Sequence, residues 1–229
     1  MYPSRYREES RVRRKQLSAT ACAYCKSPVS RPNQSFGRLR RRLTPALCLM
    51  KVTAQSVNTN DLGDRILKVN HAGEHGAICI YSGQIFMARF TARDLVGELD
   101  EFRSHELRHR FIFGAELQRR GRPRCRSYWF CGLGGYALGL LTGLLGRNAI
   151  AATTVAVEGV VLRHLEQQLA ALQGSDLAAV AAISAIVAEE RQHHDQSAAR
   201  VQPGRIWSKV LTPIVAASTE TIIWLGMRL

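Results

Sequence analysis

The feature that most restricts what this chain can fold into is a repeated interval. Glu74 is followed 32 residues later by Glu106-Leu-Arg-His109, and Glu158 is followed 32 residues later by Glu190-Arg-Gln-His193. A helix rises about 1.5 Å per residue, so a helical hairpin with ~14 residues per arm and a turn of ~4 returns to its starting height. The interval therefore sets each glutamate level with its own Glu-x-x-His. Residue 90 bisects the first interval and Gly174 the second, which is where the turns should fall. Positions i and i+3 share a helix face, so Glu106 and His109 can reach one centre, as can Glu190 and His193.

The surrounding sequence agrees with helices. No proline stands between Pro45 and Pro123 or between Pro123 and Pro203, and these stretches are rich in Ala, Leu, Glu, Gln and Arg. The pattern predicts helices over 61–89, from a capping box at Thr91-Ala-Arg-Asp94 to about residue 119, over 149–172, from Ser175 or Asp176 to about residue 200, and over 206–227. Gly121, Pro123, Gly174 and Pro203-Gly204 punctuate them. No strand alternation competes, so the class is all-α. Two such hairpins supply four carboxylates and two imidazoles. That is the ligand set of a di-iron or di-manganese centre in a ferritin-like four-helix bundle. The candidate ligands are Glu74, Glu106, His109, Glu158, Glu190 and His193. An oxygen-rich set with few histidines suits Fe or Mn better than structural zinc. Solvated helix faces would be the plain alternative, but Glu74 and Glu158 sit in small or apolar contexts, Ala-Gly-Glu and Val-Ala-Val-Glu.

His105-Glu106-Leu-Arg-His109 also matches H-E-x-x-H, the zinc metalloprotease pattern. The repeat argues against it. The residue matching His105 in the second half is Glu189, so the halves share only Glu-x-x-His. His105 lies ~100° around the helix from Glu106 and is expected beside the centre rather than in it.

The net charge is +14 over 229 residues, which by itself suggests nucleic acid or an anionic membrane. The charge is concentrated. Residues 1–49 hold 12 Lys/Arg against Glu8 and Glu9, whereas residues 50–229 hold 20 against 16. The first 55 residues read as a basic, disordered extension, a transit peptide or an over-long start preceding Met50, and residues 56–229 as the functional domain. Nucleic-acid binding would rest on that tail alone and is not expected. Cys22-x-x-Cys25 lacks a second pair at zinc-knuckle spacing, and reduced thiols are expected. Residues 128–146 carry no charge but include six glycines. They can be read as a membrane span, a close-packed buried helix or an element lying in the membrane interface. With Trp207 and Trp224 near the ends of the apolar 206–227 segment, the two stretches together suggest a monotopic membrane surface.

At Val69-Asn-His-Ala-Gly-Glu-His-Gly-Ala77, Ile80-Tyr-Ser-Gly-Gln84, Thr154-Val-Ala-Val-Glu158 and Glu189-Glu-Arg-Gln-His-His-Asp195 the chain resembles the demethoxyubiquinone hydroxylase family of ubiquinone biosynthesis. The likeness covers about residues 61–229, and histidine after Glu74 looks bacterial. Gly159 and Leu165 depart from the family, where many members have a second glutamate and some a tyrosine. The resemblance implies a monooxygenase with two Fe ions held by the same six residues, Glu106 and Glu158 bridging. It implies addition of one oxygen atom from O2 to the ring of a polyprenylated methoxy-methyl-benzoquinol, with NADH or the quinone supplying electrons. It also implies a peripheral place on a bacterial inner membrane, or alternatively on the matrix side of the mitochondrial inner membrane, and partners from the ubiquinone-biosynthesis complex. The rival is a ferritin-like iron-storage protein, which would use the same ligands and need no apolar substrate path.

Overall fold

The computed structural model describes residues 59–202 and 206–229. The basic N-terminal segment, Cys22, Cys25, Cys48 and the Pro203-Gly204 break lie outside the described residues. All regular structure among the described residues is helical: α1 Thr59–Thr91, a 3-10 turn Arg93–Leu95, α2 Val96–Arg119, α3 Tyr128–Leu144, α4 Arg147–Leu172, α5 Leu177–Ser184, α6 Val187–Arg200 and α7 Ile206–Gly226. The all-α expectation and the two hairpins hold. The first hairpin is α1–α2; the second is α4 followed by α5 and α6.

The turns form where the bisecting residues place them, with two differences in detail. The capping box at Thr91 does not form. The Thr91 hydroxyl instead donates to the Gly143 carbonyl at 2.6 Å, and α2 starts after the 3-10 turn with no side-chain cap. Gly143 lies in the last turn of α3, and its carbonyl accepts the Thr91 hydroxyl beside the Gly146 amide at 3.2 Å, so a tertiary bond takes the place of the cap. The helix expected from 176 to 200 is divided at Ala185-Ile186. There the Ile186 amide donates to the Ile183 carbonyl, an i→i−3 bond that lines up residues three apart and sinks Ile183 and Ile186 together into the core. At the other end of α5, Asp176 caps as expected, its carboxylate accepting from the Ala179 amide at 3.0 Å. Gly174, with φ of 81°, makes the turn before it, a conformation that side chains with a Cβ avoid.

Helix α3 explains the glycines of the charge-free stretch. It runs against α1 at backbone distance. A Cβ on Gly135 would lie 2.4 Å from the Gly76 carbonyl oxygen, and one on Gly139 would lie 2.1 Å from that of Ile80. One face of α3 is thus locked onto α1, while Trp129, Phe130 and Leu133 on the other are 67–79% exposed. No helix among the described residues is long and apolar enough to cross a membrane, so the spanning interpretation of 128–146 falls. The stretch packs too closely on α1, and is too short before Leu145 and Gly146 end it, to stand alone in lipid. Helix α7 lies along α4 and carries Pro213 within it.

Two apolar clusters bracket the middle of the bundle. Ile66, Leu67, Phe113, Leu165, Leu172 and Ile183 fill one end; Tyr81, Ile85, Leu99, Phe102 and Ile150 fill the other. Between them lies a buried layer of charge.

Candidate metal centre

Every predicted site residue falls in that layer. Glu74 comes from α1, Glu106 and His109 from α2, Glu158 from α4, and Glu190 and His193 from α6; all six are buried. They form two overlapping quartets. Glu74, Glu106, His109 and Glu190 offer ligand atoms within 4.8 Å of one another, and so do Glu106, Glu158, Glu190 and His193. Each quartet takes a glutamate and a Glu-x-x-His from one hairpin and borrows the Glu-x-x-His glutamate of the other. Glu106 and Glu190 are common to both. The expectation that Glu106 and Glu158 bridge differs from this arrangement: Glu158, like Glu74, belongs to one quartet only, and Glu190 is the second shared carboxylate.

The cluster is electrostatically uneconomical without a cation. His109 Nδ1 lies 2.8 Å from Glu190 Oε1, and His193 Nδ1 lies 3.2 Å from Glu106 Oε1. Yet His109 Nδ1, His193 Nδ1, Glu106 Oε1 and Glu190 Oε1 are all fully buried with no aligned hydrogen-bond partner. Leaving a buried polar group unsatisfied costs ~1–3 kcal/mol each. Four such atoms around one small volume could hold a metal, and the donor chemistry, four carboxylates and two imidazoles, fits an iron or manganese pair. The acid–base behaviour agrees. Burial pushes the carboxyls of Glu74 and Glu158 well above the usual range, with Glu106 adding to both and Glu190 to Glu158. Burial and Glu106 push Glu190 up to about 8. Glu106 goes the other way: burial raises it, but the close imidazoles of His109 and His193 outweigh burial. His109 is raised, since the carboxylates of Glu106, Glu190 and Glu74 around it outweigh the burial that lowers it.

Three residues stand behind the candidate ligands. The Tyr81 hydroxyl donates to Glu158 Oε1 at 2.8 Å, a role that nothing in its local sequence marks. His109 Nε2 meets Glu189 Oε2 at 2.7 Å, and Arg108 also donates to that carboxylate. His105 Nδ1 lies 3.0 Å from His193 Nε2 with the rings stacked. His105 thus stands behind a candidate ligand, as expected, and does not converge with His109 on a zinc.

A cavity of about 310 Å³ opens onto the cluster. Glu74, Glu106, Glu158 and Glu190 form its floor, and its walls are mostly apolar side chains of α1, α3, α4 and α7, among them Ile80, Leu138, Val157, Val215 and Ile223. That is the size of a small-molecule site. Asn70 and His164 are among its few polar wall residues; Glu220 Oε2 lies 2.7 Å from His164 Nε2. Leu165 lies in the wall beside it, and Gly159 packs against His194.

Residues 61–226 match the family model described as ubiquinone biosynthesis protein COQ7. The chain belongs to this family. Among relatives, the 3-demethoxyubiquinol 3-hydroxylase of Rhodospirillum rubrum is 34% identical over 171 residues, covering 72% of this chain and 77% of that protein. The mitochondrial NADPH-dependent 3-demethoxyubiquinone 3-hydroxylase of Bos taurus is 28% identical over 223 residues, covering 93% and 97%. The human protein of the same name is 31% identical over 175 residues, covering 72% and 77%. The bovine match is long enough to run into the basic N-terminal segment.

Proposed function

We propose that this chain is a di-iron monooxygenase that hydroxylates the ring of a polyprenylated methoxy-methyl-benzoquinol, demethoxyubiquinol, to the 3-demethyl form in ubiquinone biosynthesis. The observation that carries this is the apolar cavity whose floor is the carboxylate cluster, in a chain of the COQ7 family. Atoms balance when one oxygen of O2 enters the ring and the other leaves as water with two protons and two electrons. A reduced nicotinamide nucleotide supplies the electrons. NADH is the donor expected from the sequence, whereas the names of the bovine and human relatives specify NADPH.

Glu74, His109, Glu158 and His193 would each hold one metal ion, with Glu106 and Glu190 shared between the two in a ferritin-like arrangement. When bound, the iron pair supplies the redox chemistry that activates O2. The protein's own groups do the rest. The apolar walls hold the ring over the carboxylate floor and exclude water from it. Asn70 and His164, the latter held by Glu220, offer hydrogen bonds to the ring oxygens. Tyr81 fixes Glu158 in place. The isoprenoid tail leaves between α3 and α7, whose outer faces carry exposed Trp129, Phe130 and Leu133 on one and Ile206, Ile214 and Trp224 on the other. Those side chains suit a protein lying on the membrane that stores its substrate. That membrane is the bacterial inner membrane on the sequence reading; the mitochondrial relatives support the inner mitochondrial membrane as the second. An iron-storage protein has no use for an apolar ring-sized cavity over its metal ligands. The test is product formation by the iron-loaded protein with a short-chain demethoxyubiquinol, reductant and ¹⁸O2. One labelled oxygen in the product, lost in Glu158→Ala, supports the proposal; no labelled product from the wild-type chain rejects it.

A further inference from the structure

The two halves of the centre are related by a constant offset of 84 residues: Glu74 to Glu158, Glu106 to Glu190, His109 to His193. The same offset relates the residues behind them, and there the halves stop matching. The residue preceding each Glu-x-x-His braces the histidine of the opposite hairpin. Glu189 takes His109 Nε2 at 2.7 Å, and His105 takes His193 Nε2 at 3.0 Å. His105 and Glu189 are 84 apart, so they are the same position twice, once as an imidazole and once as a carboxylate tied to Arg108. The offset partner of Tyr81 is Leu165. Tyr81 on α1 donates to Glu158 on α4 at 2.8 Å, whereas Leu165 on α4 has no hydroxyl to offer Glu74 on α1.

Both differences act in one direction. A histidine that donates its outer N–H to a carboxylate is a more basic ligand than one that donates to a neutral imidazole. A glutamate that accepts a phenol hydrogen bond has less charge to give than one that does not. Glu74 and His109 therefore form the richer donor pair, and Glu158 and His193 the poorer.

We propose that His105 and Glu189 are positioning residues that, with Tyr81, make the two metal positions unequal: the Glu74–His109 position binds a divalent ion first and more tightly, and the Glu158–His193 position second and more weakly. This rests on the metal-pair reading above. The inequality is a property of the outer residues, so it can be moved by exchanging them. His105→Glu gives the second half the brace of the first; Glu189→His does the reverse.

The experiment is anaerobic titration of the metal-free full chain with Co(II), followed by calorimetry and by the visible absorbance of the bound ion. Mössbauer spectra of the chain loaded with ⁵⁷Fe(II) accompany it. The wild type is expected to take up two Co(II) in two steps and to show two distinct iron signals. His105→Glu should tighten the weaker step about 10-fold or more and draw the two iron signals together. Glu189→His should weaken the tighter step by about 10–100-fold, the range for loss of a brace behind a metal-bound histidine. Glu189→Asp, a shorter carboxylate, should restore part of that loss, which a purely structural defect would not allow. Two equal Co(II) sites in the wild type, or two unchanged unequal sites in a His105→Glu chain of native helical content, overturn this inference and leave the metal pair standing. Fewer than two Co(II) per wild-type chain overturns the metal pair, and this inference with it.

Discussion

Replacing Gly139 by alanine should destabilise the protein, although alanine is the better helix former. In an open helix interior the exchange gains about 1 kcal/mol. Here the new Cβ would stand 2.1 Å from the Ile80 carbonyl oxygen and 2.9–3.0 Å from its carbon and Cα, all backbone atoms of α1 that cannot rotate away. Ordinary contact needs about 3.4 Å, so α3 must back off by more than an ångström along its buried face. Overpacking of this kind costs about 1–3 kcal/mol and more where backbone must move. A net loss of about 2 kcal/mol corresponds to about 4–8 °C in Tm for a chain of this size. Gly134, on the same helix, is the control: a Cβ there meets nothing within 4 Å, so Gly134→Ala should hold Tm or raise it by a few degrees. Thermal unfolding of both variants by circular dichroism decides the matter. A Gly139→Ala chain that melts at or above the wild type would refute the account of α3 as a helix locked to α1 by its glycines. So would an equal fall in Gly134→Ala.

Three further outcomes follow from particular contacts. Tyr81→Phe removes the buried hydroxyl that holds Glu158 and should cost about 1–3 kcal/mol in urea unfolding of the metal-free protein, so an unchanged midpoint would deny that bond. Burial and Glu106 raise Glu190 from 4.5 to about 8, so its contribution to metal-free stability is fully present below about pH 4.5 and is lost as pH rises through about 8. Glu190→Gln should flatten that fall in Tm between pH 5 and 9, and a slope equal to the wild type's would contradict the assignment. Arg120 binds Asp176 at 2.7 Å and Asp64 at 3.1 Å, joining the end of α2 to the starts of α1 and α5. Arg120→Ala should cost about 3 kcal/mol because both aspartates are left buried, although Arg122 still reaches Asp64, and a loss under about 1 kcal/mol would show that water replaces the guanidinium.

The six candidate ligands were legible because their spacing is a statement about helix geometry. An interval of 32 residues closes a hairpin, and i,i+3 fixes a face, whatever the rest of the sequence does. Their supporting residues were not legible in the same way. Glu189 and His105 brace the opposite hairpin, and no local pattern says which histidine a neighbouring helix brings up. Tyr81 looks like any core tyrosine until α4 lies beside it. The sharing of Glu190 rather than Glu158 follows from which side chains the two folded hairpins bring together, a tertiary fact. The glycines of α3 were ambiguous for a physical reason: close helix packing and membrane helices both favour small residues. At Thr91 the local signal lost to a tertiary bond with the Gly143 carbonyl.

The most direct test of the central claim is the quinone profile of a strain lacking this gene, complemented with the wild-type chain or with Glu190→Ala. The deletion should accumulate the demethoxy precursor, the wild type should restore ubiquinone, and Glu190→Ala should leave the precursor in place. Normal ubiquinone in the deletion strain, or full restoration by Glu190→Ala, would contradict the assignment of the buried carboxylate cluster to ring hydroxylation.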